Sequence, residues 1–271
     1  MKSFFAIAAI AALIPVSALA QTPSKNTTKP NNDATNWTGF YAGLNTGGTI
    51  GSSNAQLATV YLTTGEYFPA NFAANDVVAV NSTGNMNLHP KGYAGGLQFG
   101  YNRQIAKWVL GAEADYGVLA ASNTKAQWVA YPSNSPYGGT ITQRVSTDWM
   151  STARVRVGHT YGKRTLLFAS GGAAETVVHY YSQFLDWNDT QESATPKVLK
   201  TGWIAGGGAE YALDKHWSAR AEYLYADFGK VSNAGNLLAS IGGGTTWPLM
   251  TFTHTATLQS NIARIAVNYR F

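Results

Sequence analysis

Hydrophobic and polar residues alternate with a period of two through eight segments of this 271-residue chain. The last ten residues show it best. Ala263, Ile265, Val267, Tyr269 and Phe271 alternate with Ile262, Arg264, Ala266, Asn268 and Arg270. Successive side chains of a strand point to opposite faces, so this pattern predicts a strand with one apolar face. The same reading predicts strands at residues 37–51, 92–102, 108–119, 148–158, 165–178, 201–213, 217–228 and 257–271. Phe40, Ala42 and Leu44 share a face in the first, and Leu97, Phe99 and Tyr101 in the second. Trp108, Leu110, Ala112, Ala114 and Tyr116 oppose Val109, Gly111, Glu113 and Asp115 in the third. Trp149, Ser151, Ala153, Val155 and Val157 oppose Thr152, Arg154, Arg156 and Gly158 in the fourth. The fifth segment has no clear face assignment.

The connections between these segments are unequal. Residues 103–107, 159–164 and 214–216 are short turns, whereas residues 52–91, 120–147, 179–200 and 229–256 are long. Short turns on one side and long loops on the other is the layout of an outer-membrane barrel. Aromatic positions agree. Phe40, Tyr101, Trp108, Phe168, Tyr211, Trp217, Tyr269 and Phe271 fall at the periplasmic strand ends, and Tyr116, Trp149, Trp203 and Tyr225 near the opposite ends. Two aromatic girdles match a lipid interface, whereas a soluble sandwich would concentrate aromatics in mid-strand. The expected fold is all-β: one eight-stranded antiparallel transmembrane β-barrel of the outer-membrane type, over residues 37–271.

Composition sharpens this picture. Charged residues make up only 12% of the chain, and there is no cysteine. Disulfides and thiolate metal sites are excluded. Lys2, the apolar run 4–16 and Ala18-Leu19-Ala20 form a secretory signal, with cleavage expected after Ala20. Pro15 and the short length argue against a spanning helix. Residues 21–36 are polar and Pro/Asn-rich and are expected to be a disordered periplasmic lead. The net charge of +5 is scattered rather than clustered, so nucleic acid is not an expected partner.

The motifs WTGFYAGLNTGG, GGLQFGYN, WVLGAEADY, STARVRVG and RAEYLYADFG, with the final aromatic-x-Phe, together resemble the small alphaproteobacterial outer-membrane β-barrel proteins. That family is labelled "porin family" and includes surface antigens. The ending Val267, Tyr269, Phe271 resembles the signal by which such barrels are recognised for assembly. The resemblance implies outer-membrane lipid, lipopolysaccharide and the barrel-assembly machinery as partners. Long loops would face outward, with an extracellular ligand as a further candidate.

If the apolar faces meet lipid, the opposite faces fill the lumen. These carry Glu113, Asp115, Glu210 and Glu222 against Arg154, Arg156, Arg220 and Arg264. Unpaired charges in so narrow an interior are costly, so a paired network and a plugged core are expected, with a gated ion path as the alternative. Glu113 and Asp115 lie two residues apart on one face, but nearby arginines favour salt bridges over acid–base catalysis. Ser151 is expected to face lipid, and no Ser/His/Asp set is evident, so no enzyme is expected. His89, His179 and His254 fall at or near long loops, and His159 and His216 in turns. None has metal-ligand spacing. His179, followed by Tyr180 and Tyr181, is a weak haem-ligand candidate; no cofactor is expected. Trp128, Tyr131, Tyr137, Trp187 and Trp247 are expected to be exposed loop aromatics. The leading functional expectation is a non-enzymatic surface protein supporting envelope integrity and presenting loops. The alternatives are a narrow porin for small solutes and a haem or host-ligand receptor.

Overall fold

The computed structural model describes residues 34–61, 73–133 and 136–271. The segments expected as a signal peptide (1–20) and, for the most part, as a periplasmic lead (21–36) therefore lie outside the described residues. The elements are β1 (Gly39–Tyr61), α1 (Ala73–Thr83), β2 (Asn85–Leu88), β3 (Lys91–Ile105), β4 (Trp108–Ala130), β5 (Gly138–Tyr161), β6 (Thr165–Asp186), β7 (Thr190–Ala194), β8 (Lys197–Ala212), β9 (Trp217–Ser240) and β10 (Thr246–Arg270).

Eight strands form a closed antiparallel ring in the order β1, β3, β4, β5, β6, β8, β9, β10. The ring closes between β10 and β1, from Tyr41 opposite Arg270 up to Tyr61 opposite Met250. Closure removes the strand edges that hydrocarbon has no means to satisfy. Two short strands are additions at the upper end. β2 pairs with β1, and β7 bridges β6 and β9.

The outward face carries the apolar residues across the lower part of the ring. Leu44, Leu97, Leu110, Val155 and Ile265 are all exposed there. Tyr116 packs on Trp149 at 5.8 Å and Trp203 on Tyr225 at 5.2 Å, so the outer girdle is made of cross-strand pairs. At the other rim Tyr269 packs against Trp217 at 5.0 Å and Phe271 at 5.3 Å. One expected girdle residue is misplaced: Phe168 turns into the lumen and is buried.

The strands are far longer than the alternation indicates. β4 has 23 residues and β5 has 24, whereas about 10 tilted residues cross a bilayer. The expected long loops are mostly barrel wall continued outward. Two bulges hid this. Asp148 and Trp149 both face outward, and the β4–β5 register shifts between Val118 and Ala121. In β9 the break falls at Gly229, in the left-handed region at φ 69°, where the register with β10 also shifts. A bulge adds one residue and flips the parity of everything beyond it. The fourth segment therefore reads as starting at Asp148 only because its period is reset there, and the seventh ends at Phe228 for the same reason.

The stretch expected as a loop at residues 52–91 holds the top of β1, α1 and β2. Above Lys91, β3 no longer covers β4, and α1 fills the gap. The Asn81 side-chain amide accepts from the Thr59 N–H at 2.7 Å and donates to its carbonyl at 3.1 Å, as a neighbouring strand would. On the β4–β5 side, Asp76 accepts from the Ser133 backbone at 3.3 Å and from its hydroxyl.

Candidate functional site

Inward-facing side chains stack in layers along the ring axis. At the periplasmic mouth Trp37, which precedes β1 rather than opening it, packs with Val109, Leu166 and Ala212. Its N–H donates to Gln104 at 2.8 Å, and the Arg270 guanidinium lies 4.6 Å from its ring centre. Thr35 is already tied down, donating from its N–H to Lys163 at 2.8 Å.

The next layer holds the four acids and four arginines. Arg154 contacts Glu113 at 2.5 Å, Asp115 at 2.8 Å and Glu222 at 3.2 Å. Arg220 bridges Glu113 at 2.5 Å and Glu210 at 3.1 Å. Arg156 meets Glu210 at 3.0 Å, and Arg264 joins Glu222 at 2.6 Å to Asp115 at 3.2 Å. Every acid thus has at least two arginine partners. Neutral groups fill remaining sites. The Tyr41 hydroxyl donates to Glu113, Thr152 to Asp115 at 2.6 Å, and Ser218 and Asn268 to Glu210 at 2.6 and 2.9 Å. The Arg156 guanidinium lies 4.2 Å from the Phe168 ring centre, a cation–π contact in a desolvated site.

Glycines make the layer possible. A Cβ on Gly43 would fall 2.1 Å from Asn268 Oδ1, and one on Gly111 2.4 Å from Asn102 Oδ1 and 3.0 Å from Arg156 Cγ. Wall positions without side chains are what let long polar chains cross so narrow a bore.

Above the charges the interior becomes apolar. Leu119, Val145, Val178, Leu224, Phe228 and Leu258 belong to one buried cluster. Next comes a thin polar layer. His254 Nε2 lies 2.7 Å from Glu192, and both side chains are fully buried. A second apolar cluster closes the top, with Leu57, Val80 of α1, Ile141, Phe184 and Phe252.

These layers correct several expectations. His254 is not a loop residue but an inward side chain of β10. Tyr131 and Trp247 are not exposed aromatics: they pack with the upper cluster, Tyr131 buried and Trp247 partly so. Trp128, Tyr137 and Trp187 are exposed, the last two stacked at 4.0 Å. Sequence reasoning missed Tyr41 and Asn268 because it searched the lumen face for charges, although both sit on that face by parity.

The other expected residues are placed as follows. Ser151 shares the outward face of β5 with Trp149. His179 lies on the outer wall, with Nε2 2.7 Å from Asp148. Among the described residues no group of three His, Cys, Asp or Glu side chains is arranged to hold a metal ion. Val267, Tyr269 and Phe271 face outward at the periplasmic rim, where the Phe271 N–H donates to Phe40 at 3.0 Å.

The chain that builds this closed, aromatic-belted wall is similar to known proteins. The model of the outer membrane protein beta-barrel domain matches residues 6–271. The chain belongs to this family. It is 31% identical, over 236 residues, to the 31 kDa outer-membrane immunogenic proteins of Brucella melitensis and Brucella suis, covering 85% of this chain and 88% of theirs. Among solved structures it is similar to OprG of Pseudomonas aeruginosa (TM-score 0.43, 11% identity, 88% of this chain and 98% of that one). It is similar also to the outer membrane protease OmpT of Escherichia coli (TM-score 0.44, 10% identity, 86% and 97%), a likeness too distant to bear on activity. This family member is an outer-membrane β-barrel protein and a homologue of surface antigens.

Proposed function

We propose that this barrel is a non-enzymatic, non-conducting surface protein that supports the envelope and holds a folded extension outside the bilayer. One observation carries the reading. The eight charged side chains of the lumen are at most 4% exposed, and they lie between the Trp37 layer and an apolar cluster. An eight-stranded barrel has a bore that side chains fill, and here they do. The name of the Brucella relatives, immunogenic outer-membrane proteins, fits a role in which the outer surface matters. Glu113 and Asp115 are each committed to arginines, which leaves neither carboxylate poised as a general base.

The test is single-channel conductance of the refolded, heat-modifiable protein in a planar bilayer, beside Arg156→Ala. Silence from both is expected. Steady openings that widen on removing Arg156 would make the lumen a constriction and the protein a narrow porin. Loss of the protein from cells is expected to raise sensitivity to detergent.

A further inference from the structure

We infer that the outward face of the extension, at the top of β4, β5 and β6, is a binding site for a neutral oligosaccharide, with Trp128, Tyr137 and Trp187 as its stacking platform. The first observation is how the rings are built in. Tyr137 and Trp187 are stacked, with ring centres 4.0 Å apart and planes at 29°. The Trp187 N–H donates to the Gly138 carbonyl at 3.0 Å. A Cβ on Gly138 would fall 2.7 Å from Trp128 Cζ2, so the Trp128 ring lies directly over that glycine. The three rings therefore meet around one residue at the end of β5. Even so, Trp128, Tyr137 and Trp187 are 56%, 39% and 50% exposed. Their mutual packing fixes the rings without covering them, so little conformational freedom is left to lose on binding.

The second observation is the chemistry around the rings. The outward row that runs from Trp128 across β5, β6 and β7 includes Thr140 and Gln191, and the next row down includes Thr142, Gln183 and Ser193. No position of either row is ionisable. The acids of these strands turn inward instead: Asp186 and Glu192 are buried. The Gln183 amide donates to Gln191 at 3.1 Å, which holds the two amides side by side. The charge on this face thus matches a ligand that hydrogen-bonds but carries no charge. A pyranose ring has both halves of the required chemistry. Its axial C–H groups suit the electron-rich face of an aromatic ring, and its equatorial hydroxyls suit neighbouring amides and hydroxyls. An acyl chain would use the rings and leave the polar rows unused. Trp128 and Trp187 stand two strands apart, roughly 10–12 Å between Cα positions, which a short run of linked sugars spans.

The third observation is height. Thr140 and the girdle residue Trp149 both belong to β5, and at strand rise and barrel tilt they are roughly 20 Å apart along the membrane normal. Lipid headgroups take up about 5–8 Å of that. The platform therefore stands above the lipid surface, in the water where a glycan carried by another surface arrives. The inference rests on the reading that the barrel holds a folded extension outside the bilayer, and not on the closed lumen. A conducting lumen would leave this site standing, and a site that failed would leave the silent bilayer as it is.

The experiment compares wild type with the Trp128→Ala, Trp187→Ala double variant. Both are refolded in a polyoxyethylene detergent, because maltoside and glucoside headgroups would compete, and both are checked by heat-modifiable mobility. The two side chains are exposed, so the fold should hold without them. The probes are a panel of neutral hexose and N-acetylhexosamine oligosaccharides, sulfated and sialylated oligosaccharides of the same lengths, and lipopolysaccharide, each titrated by isothermal calorimetry. Wild type should bind neutral probes, and the double variant should bind them roughly 5- to 100-fold more weakly, since each stacked ring contributes about 2- to 12-fold. Replacing both tryptophans by Phe should recover part of the loss. Leu237→Ala, which trims an exposed apolar side chain of β9, should bind like wild type. Neutral probes that bind neither protein, or both alike, would overturn the site. Sulfated or sialylated probes bound more tightly than neutral ones, with the same dependence on the two tryptophans, would overturn the assignment to a neutral ligand. Tryptophan-dependent binding of lipopolysaccharide alone would overturn the assignment to a glycan from another surface.

Discussion

The lower and upper halves of this barrel share the same strands and invert their chemistry. Below the outer girdle, β5 puts Val155 and Val157 outside and Arg154 and Arg156 inside. Above it, the same strand puts Arg144 and Ser146 outside and Ile141 and Val145 inside. The switch takes one bulge, at Asp148 and Trp149. Which face is apolar is decided by what surrounds the wall, hydrocarbon below and water above. Each half then fills its interior with what remains. The lower half is held by directional ion pairs, the upper half by non-directional apolar packing. The two halves should therefore fail in different ways.

The largest effect is expected in the lower half. Arg220 is fully buried and bridges Glu113 and Glu210. Arg220→Met removes one charge and strands part of two others, which costs roughly 3–5 kcal/mol for a buried pair broken from one side. Denaturant unfolding from detergent micelles measures it. Adding Glu210→Gln should restore part of the loss, because an acid that lost a partner is neutralised. A loss under about 1 kcal/mol would mean that the network fills the bore without holding it.

The upper half should lose less, and locally. Phe252 stacks on Phe184 at 5.7 Å in the upper cluster. Phe252→Ala leaves a cavity worth about 3 kcal/mol, yet nothing in the lower half depends on that contact. Limited proteolysis should cut the extension while the heat-modifiable band of the barrel remains. If that band disappears too, the halves fold as one unit and the contrast between them is only chemical.

The two halves were also unequally legible. In the lower half, period-two alternation, small wall residues and aromatic ends all pointed to one barrel, and the parity that put Leu110 outside put Glu113 and Arg154 inside. The partners of each charge were not readable, because they depend on which strands neighbour across the bore: Arg264 reaches Asp115 from 149 residues away. In the upper half the alternation persists, but the bulges at Asp148–Trp149 and at Gly229 reset it. The outer face there is also polar, so no apolar stripe draws attention. His254 shows the consequence. It is an inward strand residue by parity with Ala256 and Leu258, and it reads as a loop histidine only because its strand is taken to start at Thr257.

The smallest effect lies at the periplasmic turn between β8 and β9, where the plug can be set against the layered top. Asp214 is exposed, and its carboxylate accepts from the N–H groups of His216 and Trp217, each at 2.7 Å. These bonds favour the charged form and hold its carboxyl below the usual carboxylate range. The Asp214 carbonyl also accepts from Arg270 at 3.1 Å, and Arg270 covers Trp37. The folded value is depressed, so the stabilisation is present above the ordinary carboxylate pKa and is lost as pH falls through the depressed one. For so exposed a group it amounts to less than about 0.5 kcal/mol. Amide exchange of the turn, rather than global unfolding, is therefore the right measure. Asp214→Ala should speed exchange at His216 and Trp217 near pH 7, and the gap from wild type should narrow below about pH 4. A gap that widened on acidification would mean that the carboxylate is not what holds the turn, and that the bottom of the barrel, unlike its top, closes through Trp37 alone.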